Sequence, residues 1–110
     1  MQRLKRRADF LAARDGTRAP TGAFLVQARD RHDANEPRLG FTVTNKTGNA
    51  AERNRIRRRL REAVKQVMPA AGKPGFDYVL VARREALAAP FAALVKDLQR
   101  ALNKIHAPKG

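Results

Sequence analysis

The sequence predicts an α+β fold arranged as a two-layer sandwich, with its elements in the order αβββαβα. Of the 110 residues, 43% are hydrophobic, which supplies one core but no second lobe, so residues 1–110 are expected to form a single domain. Apolar residues alternate with a period of two over residues 38–44. At residues 48–52 the period changes to that of a helix. A strand-like run then separates two helical patterns, as in an α+β domain.

A short helix is predicted at the start, over residues 4–13. Leu4, Ala8 and Leu11 fall on one stripe at helical spacing. The pair Asp15 and Gly16 is a turn signal that ends the pattern.

Strands are predicted over residues 23–28 and 38–44. The second alternates with a period of two, which places Leu39, Phe41 and Val43 on a core-facing side. The polar residues 30–37 between them read as a mobile hairpin loop. The other face of these strands is expected to be open to water or to a ligand.

A long basic helix is predicted to begin after Asn49. Asn49 is a favoured N-cap, and Glu52, three residues later, can bond back to the cap. The helix is expected to stop at Met68 and Pro69. Its apolar stripe has helical spacing and comprises Ile56, Leu60, Ala63, Val64 and Val67.

The last two elements are a strand and a helix. Residues 76–82 form a nearly continuous apolar run rich in β-branched and aromatic residues, which is typical of a central strand covered on both faces. A helix is predicted from Pro90, a favoured first-turn residue, and residues 105–110 are expected to be a disordered tail. The apolar side of that helix comprises Phe91, Leu94, Val95, Leu98, Leu102 and Ile105.

The charge of the chain indicates a polyanionic partner. There are 24 Lys and Arg residues against 10 Asp and Glu, a formal net charge of +14. Such an excess favours nucleic acid or an anionic membrane. The longest apolar stretch, residues 86–95, is broken by Pro90 and is too short to cross a bilayer, so no membrane partner is expected. Cysteine is absent, which excludes thiol catalysis and disulfide scaffolds. The basic N-terminus lacks the pattern of a secretory signal, and a cytoplasmic location is expected.

The basic helix is the strongest candidate for binding that polyanion. Its two acids, Glu52 and Glu62, cannot pair with seven bases, so a merely solvated face is disfavoured. Guanidinium groups hold phosphates bidentately, and the helix N-terminus adds unpaired N–H groups. Helical geometry places Asn54, Arg58, Arg61 and Lys65 on one flank of the apolar stripe and Arg55 with Arg59 on the other.

One stretch of the sequence resembles a known family. Residues 44–62, with Arg53-Asn54-Arg55 at their centre, are similar to the Arg-Asn-Arg signature of the bacterial ribonuclease P protein subunits. The opening Leu4-Lys5-Arg6 with Asp9-Phe10, the strand 38–43 and the run 77–83 extend the resemblance over nearly the whole chain.

The resemblance implies a fold and an activity. The fold is ribosomal-protein-like, with a left-handed crossover around the basic helix, where the general rule would give a right-handed one. The activity is that of a subunit of an endoribonuclease, a ribonucleoprotein that removes the 5′ leader of precursor tRNA. A separate catalytic RNA carries out the hydrolysis with Mg²⁺, and the protein binds and positions. One protein and one RNA are expected in the complex, with no protein catalytic residue, no metal ligand and no cofactor on the protein.

The resemblance also assigns roles to residues. The set implied to bind the catalytic RNA, with Lys65 added from the helical flank, is Lys46, Asn49, Arg53, Asn54, Arg55, Arg58, Arg59, Arg61 and Lys65. The set implied to form a cleft for the precursor-tRNA leader is Phe10, Leu25 and Gln27. For Phe10, ordinary core packing is an equal alternative. Two residues depart from the family pattern. Asn45 stands where a lysine is usual, and Gln27 stands where an aromatic side chain is usual.

Other functions are less well supported by the residues. His32 and His106 have no serine or cysteine to activate. Asp30, Asp33 and Glu36 share a loop with arginines and lack the pattern of a calcium loop. A ribosomal or other structural RNA-binding protein stays open as an alternative. An architectural DNA-binding protein is disfavoured because no helix-turn-helix or dimerising heptad is visible.

Overall fold

The computed structural model describes residues 1–108, in which five strands form one sheet with three α-helices. The predicted order αβββαβα is confirmed, and one short strand precedes it. Two 3₁₀ turns are also present: Asn45–Thr47 precedes the long basic helix, and Arg84–Leu87 lies between the last strand and the last helix. In chain order the elements are β1 (Gln2–Arg3), α1 (Arg7–Arg14), β2 (Thr17–Pro20), β3 (Phe24–Asp30), β4 (Arg38–Thr42), α2 (Ala50–Ala71), β5 (Phe76–Ala82) and α3 (Phe91–Ile105).

The sheet has the strand order β1-β4-β5-β3-β2. β5 lies at its centre, parallel to β4 and antiparallel to β3, so the central position predicted for residues 76–82 is confirmed. The chain crosses from β4 to its parallel neighbour β5 through α2. The left-handed sense that the resemblance implies for this crossover stays a prediction.

The main core fills the layer between the sheet and the pair α2 and α3. From the sheet, Phe24, Val26, Tyr78 and Leu80 are fully buried in it. The apolar stripe predicted for α2 is buried throughout. On α3 the predicted residues are buried or packed against the core, and Ala101 joins them.

Helix α1 covers part of the opposite face of the sheet. A second, small cluster there joins Leu4, Ala13 and Val79, with Phe10 packed against it. The predicted stripe is wrong, because Leu11 is exposed and Leu4 precedes the helix. Residues 2–4 are extended instead, since β1 pairs with β4 and the Leu4 N–H donates to the Leu39 carbonyl.

The hairpin predicted over residues 30–37 is also wrong. β5 lies between β3 and β4, so the two strands that this segment joins are not neighbours. Arg31 organises the segment, because its guanidinium donates to the backbone carbonyls of Phe76 and Glu36 and to the carboxylate of Asp77. The segment therefore crosses the end of β5 and is held there by the hydrogen bonds of Arg31.

Several predicted boundaries move; β3 continues to Asp30 and β4 ends at Thr42. Helix α2 continues through Pro69 to Ala71, because proline removes only one helical hydrogen bond and the Gly72 N–H bonds again to the Met68 carbonyl. The prediction of a disordered tail from residue 105 places the start of the tail too early. Ile105 ends α3, and the His106 ring lies 2.7 Å from the Tyr78 hydroxyl. Residues 109–110 of that predicted tail lie outside the described residues.

Candidate nucleic-acid interface

The turn that leads into α2 is fixed by side-chain hydrogen bonds. Asn49 and Glu52 form the predicted capping box, each side chain accepting from the other's backbone N–H. Arg84 donates to both the Glu52 carboxylate and the Thr47 carbonyl, and its hydrogen bond lowers the pKa of Glu52, with help from the Asn49 N–H. Gly48 completes the turn with a φ of 153°, and a Cβ there would lie 2.7 Å from the Glu52 carboxylate. Lys46 and Asn49 are thus held on a rigid turn.

The first turns of α2 contain two further internal bonds. Arg53 donates to the side chain of Asn45 at 2.7 Å, and Arg57 donates to the side chain of Asn54 at 3.0 Å. Asn45, which departs from the family pattern, is therefore a partner that orients Arg53. Arg57, which was not among the predicted site residues, lies beside Asn54. Arg57 follows Asn54 by three residues, a spacing at which helix side chains are neighbours, so the sequence alone could have indicated this contact.

The arginines of α2 differ in what their guanidinium groups contact. Arg59 donates to the carbonyls of Ala86, Leu87 and Ala89, which end the 3₁₀ turn before α3. Its donors are thus used within the fold. Within residues 1–108, by contrast, no carboxylate pairs with Arg55, Arg58 or Arg61. These three groups and Lys46 keep their donors available to an anion.

Two shallow depressions lie along the free face of α2. One, of about 540 Å³, is lined by Ala51, Asn54, Arg57, Arg58 and Arg61. The other, of about 330 Å³, is lined by Arg55, Arg58, Arg59, Glu62 and Phe91. The structure therefore gathers most of the predicted RNA-binding set on one helix face. Lys65, at the far end, forms an exposed pair with Glu62 at 3.1 Å.

A separate cleft lies between α1 and the sheet, with a volume of about 510 Å³. Phe10 and Gln27, two of the three predicted cleft residues, line it. Leu25 does not line it, although it lies on the same sheet face, half-buried and paired with Val81. The Phe10 ring also packs over Gly40, where a Cβ would lie 2.6 Å from it, so Phe10 serves both the cleft and the small cluster. The full lining is Arg7, Phe10, Leu11, Arg14, Gln27, Thr42 and Val81.

Beyond this cleft lies a cationic end built around two carboxylates. Asp77 is completely buried and receives hydrogen bonds of 2.6–2.7 Å from Arg31 and Arg38. Burial raises the pKa of Asp77, but the two arginines outweigh it and leave the pKa below its ordinary value. Asp9 lies 3.5 Å from Arg38 and 3.7 Å from Arg29. No local sequence pattern predicts this cluster, because its members come from distant segments.

The cationic end also has a surface of its own. A depression of about 730 Å³ there is lined by Gln2, Arg3, Lys5, Arg6, Asp9 and Arg38. It joins residues before α1 to the start of β4. The chain thus carries positive charge at both the α1 side and the α2 side of the molecule.

Acidic side chains at the end of β3 and in the segment between β3 and β4 are used within the fold. Asp33 pairs with Arg31 at 3.1 Å, and Asp30 accepts from the His32 N–H at 2.8 Å. Among residues 1–108, no group of three His, Asp or Glu side chains is arranged to hold a metal ion. Nor does any helix in that part of the chain have the length and apolar character needed to cross a membrane.

Comparison with known proteins identifies the family. The family model described as Ribonuclease P matches residues 1–106. The chain is 52% identical over 110 residues to the ribonuclease P protein component of Ruegeria pomeroyi, covering 96% of this chain and 87% of that one. Its identity to that of Brucella suis is 45% over 106 residues, covering 89% and 75%.

Solved structures agree with the sequence comparison. The RNase P protein of Staphylococcus aureus superposes with a TM-score of 0.80 at 27% identity, covering 96% of both chains. That of Thermotoga maritima gives 0.75 at 27% identity, covering 100% of both. The resemblance first seen in residues 44–62 thus extends to the whole fold. The chain belongs to the ribonuclease P protein family.

Proposed function

We propose that this chain is the protein component of a ribonuclease P, in which it binds the catalytic RNA through α2 and the 5′ leader of precursor tRNA through the α1 cleft. One protein and one RNA form the complex, which acts in the cytoplasm. The observation that carries the proposal is the separation of two surfaces, an arginine face on α2 and a partly apolar cleft beside α1. Family membership points to the ribonuclease P reaction. That reaction involves two RNA molecules, the catalytic RNA and the precursor tRNA, and therefore needs two RNA-binding surfaces.

The α2 face suits a folded RNA. Arg55, Arg58 and Arg61 offer planar forks of donors without an acidic partner among residues 1–108. Such groups bind phosphate oxygens bidentately and gain free energy from the release of counterions. The rigid turn at Lys46 and Asn49 adds a cation and the N-terminus of a 22-residue helix. This face therefore supplies affinity and orientation.

The α1 cleft suits a single strand. Phe10, Leu11 and Val81 give it apolar walls, while Arg7 and Arg14 supply charge. Gln27 is 6% exposed, and its amide both donates and accepts, so it can bond to the edge of an unpaired base. A precursor, which has a leader, would bind here, whereas a mature tRNA would not.

Catalysis is assigned to the RNA. The carboxylates Asp9, Asp33 and Asp77 are paired with arginines, so this set of donors does not fit a catalytic magnesium site on the protein. Mg²⁺ bound to RNA would generate the nucleophile and stabilise the leaving oxygen. The protein contributes by holding the substrate in place, which lowers the entropic barrier.

Reconstitution tests the proposal. The chain is added to a bacterial ribonuclease P RNA and a precursor tRNA at a limiting Mg²⁺ concentration, and the rate of leader removal is measured. We expect a clear increase in rate. The double variant Arg58→Gln/Arg61→Gln should lose most of it, whereas Lys96→Gln/Arg100→Gln, which removes the same charge from exposed positions of α3, should retain it. A wild-type chain that leaves the rate unchanged would refute the proposal.

A further inference from the structure

A groove that adjoins the arginine face of α2 lies between the C-terminal half of α2 and the edge of the sheet. Its volume is about 620 Å³, within the range of about 300–1,000 Å³ that is typical of small-ligand sites. β4 forms its floor, β1 one wall and α2 the other. The lining residues are Met1, Gln2, Arg3, Leu39, Phe41, Arg61, Val64, Lys65 and Pro69.

The floor of this edge groove is apolar. Leu39 and Phe41 lie on the side of β4 that faces α2, next to Val64, and both stay half-buried. They are only half-buried because β4 is next to the sheet edge, where β1 adds just two residues. Phe41 thus presents an aromatic surface at the end of the main core.

The rim of the edge groove is cationic. Arg3, Arg61 and Lys65 surround the apolar floor, and no acidic residue is among those that line it. Glu62 reaches Lys65 from outside the groove. A second copy of this chain, with a net charge of +14, would be repelled from such a rim. The occupant that fits is a flat apolar group attached to a negative charge.

Arg61 connects the edge groove to the arginine face of α2. The same side chain lines this groove and the depression that contains Asn54, Arg57 and Arg58. An RNA strand whose phosphates contact Arg58 and Arg61 can therefore turn its next base toward Phe41. We propose that the edge groove binds an unpaired nucleobase of the catalytic RNA, with the base against Phe41 and its phosphate at Arg61 and Lys65. This inference rests on the proposed function, because α2 must face RNA.

Binding of small nucleotides to the free chain tests the groove directly. Backbone amide NMR shifts are followed during titration with adenosine 5′-monophosphate and, in parallel, with ribose 5-phosphate. We expect adenosine 5′-monophosphate to bind at least about fivefold more tightly than ribose 5-phosphate. Its binding should shift the amide signals of Leu39, Phe41 and Val64. Equal affinities, or shifts confined to the α1 cleft around Gln27, would overturn the proposal.

Variants test the groove with the RNA partner itself. Phe41→Leu keeps an apolar side chain and removes the ring, so affinity for the catalytic RNA should fall about fivefold with an unchanged salt dependence. Pro69→Glu places an acid at an exposed rim position without loss of core contacts, and it should weaken RNA binding more than Gln99→Glu on α3. Thermal unfolding confirms that each variant is folded.

The outcomes separate this inference from the proposed function. If the wild-type chain stimulates leader removal, but Phe41→Leu binds the RNA like the wild type and Pro69→Glu binds it like Gln99→Glu, the groove assignment is wrong and the function stands. If the wild-type chain fails to stimulate cleavage, the function itself is wrong. A groove that binds neither nucleotide nor RNA, but binds an acidic peptide, would also overturn the assignment.

Discussion

The arginines of α2 divide into structural and available groups according to their contacts. Arg59 donates to three backbone carbonyls, and Arg58, one residue earlier, has no acidic partner among residues 1–108. Arg59→Ala should therefore lower the free energy of unfolding by about 1.5–3 kcal/mol, since it leaves carbonyls without a charged donor. Urea unfolding measures this change. The sequence alone placed both arginines in one RNA-binding set.

Arg58→Ala is the matched variant. Its free energy of unfolding should change by less than about 0.5 kcal/mol, whereas the slope of log K against log salt for RNA binding should flatten by about 0.7–0.9 for each lost phosphate contact. Salt titration of RNA affinity gives the slope. An Arg59→Ala protein of wild-type stability with a flattened slope would reverse the two assignments.

Neighbouring residues of β3 face opposite sides of the sheet. Val26 pairs with Leu80 in the main core, and Gln27 pairs with Val79 and lines the α1 cleft. Gln27→Ala should weaken binding of precursor tRNA and leave binding of mature tRNA and of the catalytic RNA nearly unchanged. Filter binding with the three RNAs measures the effect.

Val26→Ala provides the contrast within the same strand. It should lower the free energy of unfolding by about 1–3 kcal/mol while the affinity per folded molecule stays the same. Alternation along β3 places Phe24 and Val26 in the main core and Gln27 on the opposite face. A Gln27→Ala protein that loses affinity for precursor and mature tRNA equally would show that the leader does not bind in this cleft.

At the scale of elements, features set by local sequence patterns could be predicted. Features that depend on contacts between distant segments could not. The capping box of α2 joins two residues three positions apart, and its apolar stripe repeats within one helix, so both were predicted. β1 and β2 have two and four residues and depend on pairing with β4 and β3. The formation of β1 is therefore decided by a partner far along the chain, whereas β2 forms a hairpin with the next strand. The same reason hides the Asp77 cluster, whose arginines lie 39 and 46 residues away.

The end of α3 is attached to β5 by a titratable contact. The Tyr78 hydroxyl accepts from the Lys73 backbone N–H and forms a second hydrogen bond with Nε2 of His106, 2.7 Å away. Burial, and to a lesser degree the charge of Lys73, holds the pKa of His106 below its ordinary value of 6.5. The folded chain therefore resists a proton that the unfolded chain accepts.

Stability should accordingly depend on pH through His106. The stabilisation is present above pH 6.5 and is lost as pH falls through that value toward the folded-state pKa, with a slope of at most about 1.4 kcal/mol per pH unit. Urea unfolding between pH 7.5 and 5.0 measures it. His106→Asn should remove this pH dependence, and the exposed His32→Asn should retain it. Identical slopes in both variants would exclude His106 as the titrating group.

At the scale of the whole molecule, positive charge is distributed over several surfaces around one core. The arginine face of α2, the rim of the edge groove and the cationic end beside α1 all carry excess cations. A net charge of +14 on a fold with a radius of gyration of 13.2 Å repels itself. An anion that binds the folded surfaces relieves this repulsion, so anion binding should stabilise the folded chain.

Sulfate should therefore stabilise the chain more than chloride at equal ionic strength. Binding to the folded state alone adds RT ln(1 + [L]/Kd) to stability, which rises steeply at low millimolar sulfate and then flattens. The general exclusion of sulfate from protein surfaces instead grows steadily with concentration. Thermal unfolding across a sulfate series separates the two. Arg58→Gln/Arg61→Gln should lose much of the steep phase, and Lys96→Gln/Arg100→Gln should keep it. If the steep phase were equal in chloride and in sulfate, the stabilisation would come from ionic screening and not from sulfate binding.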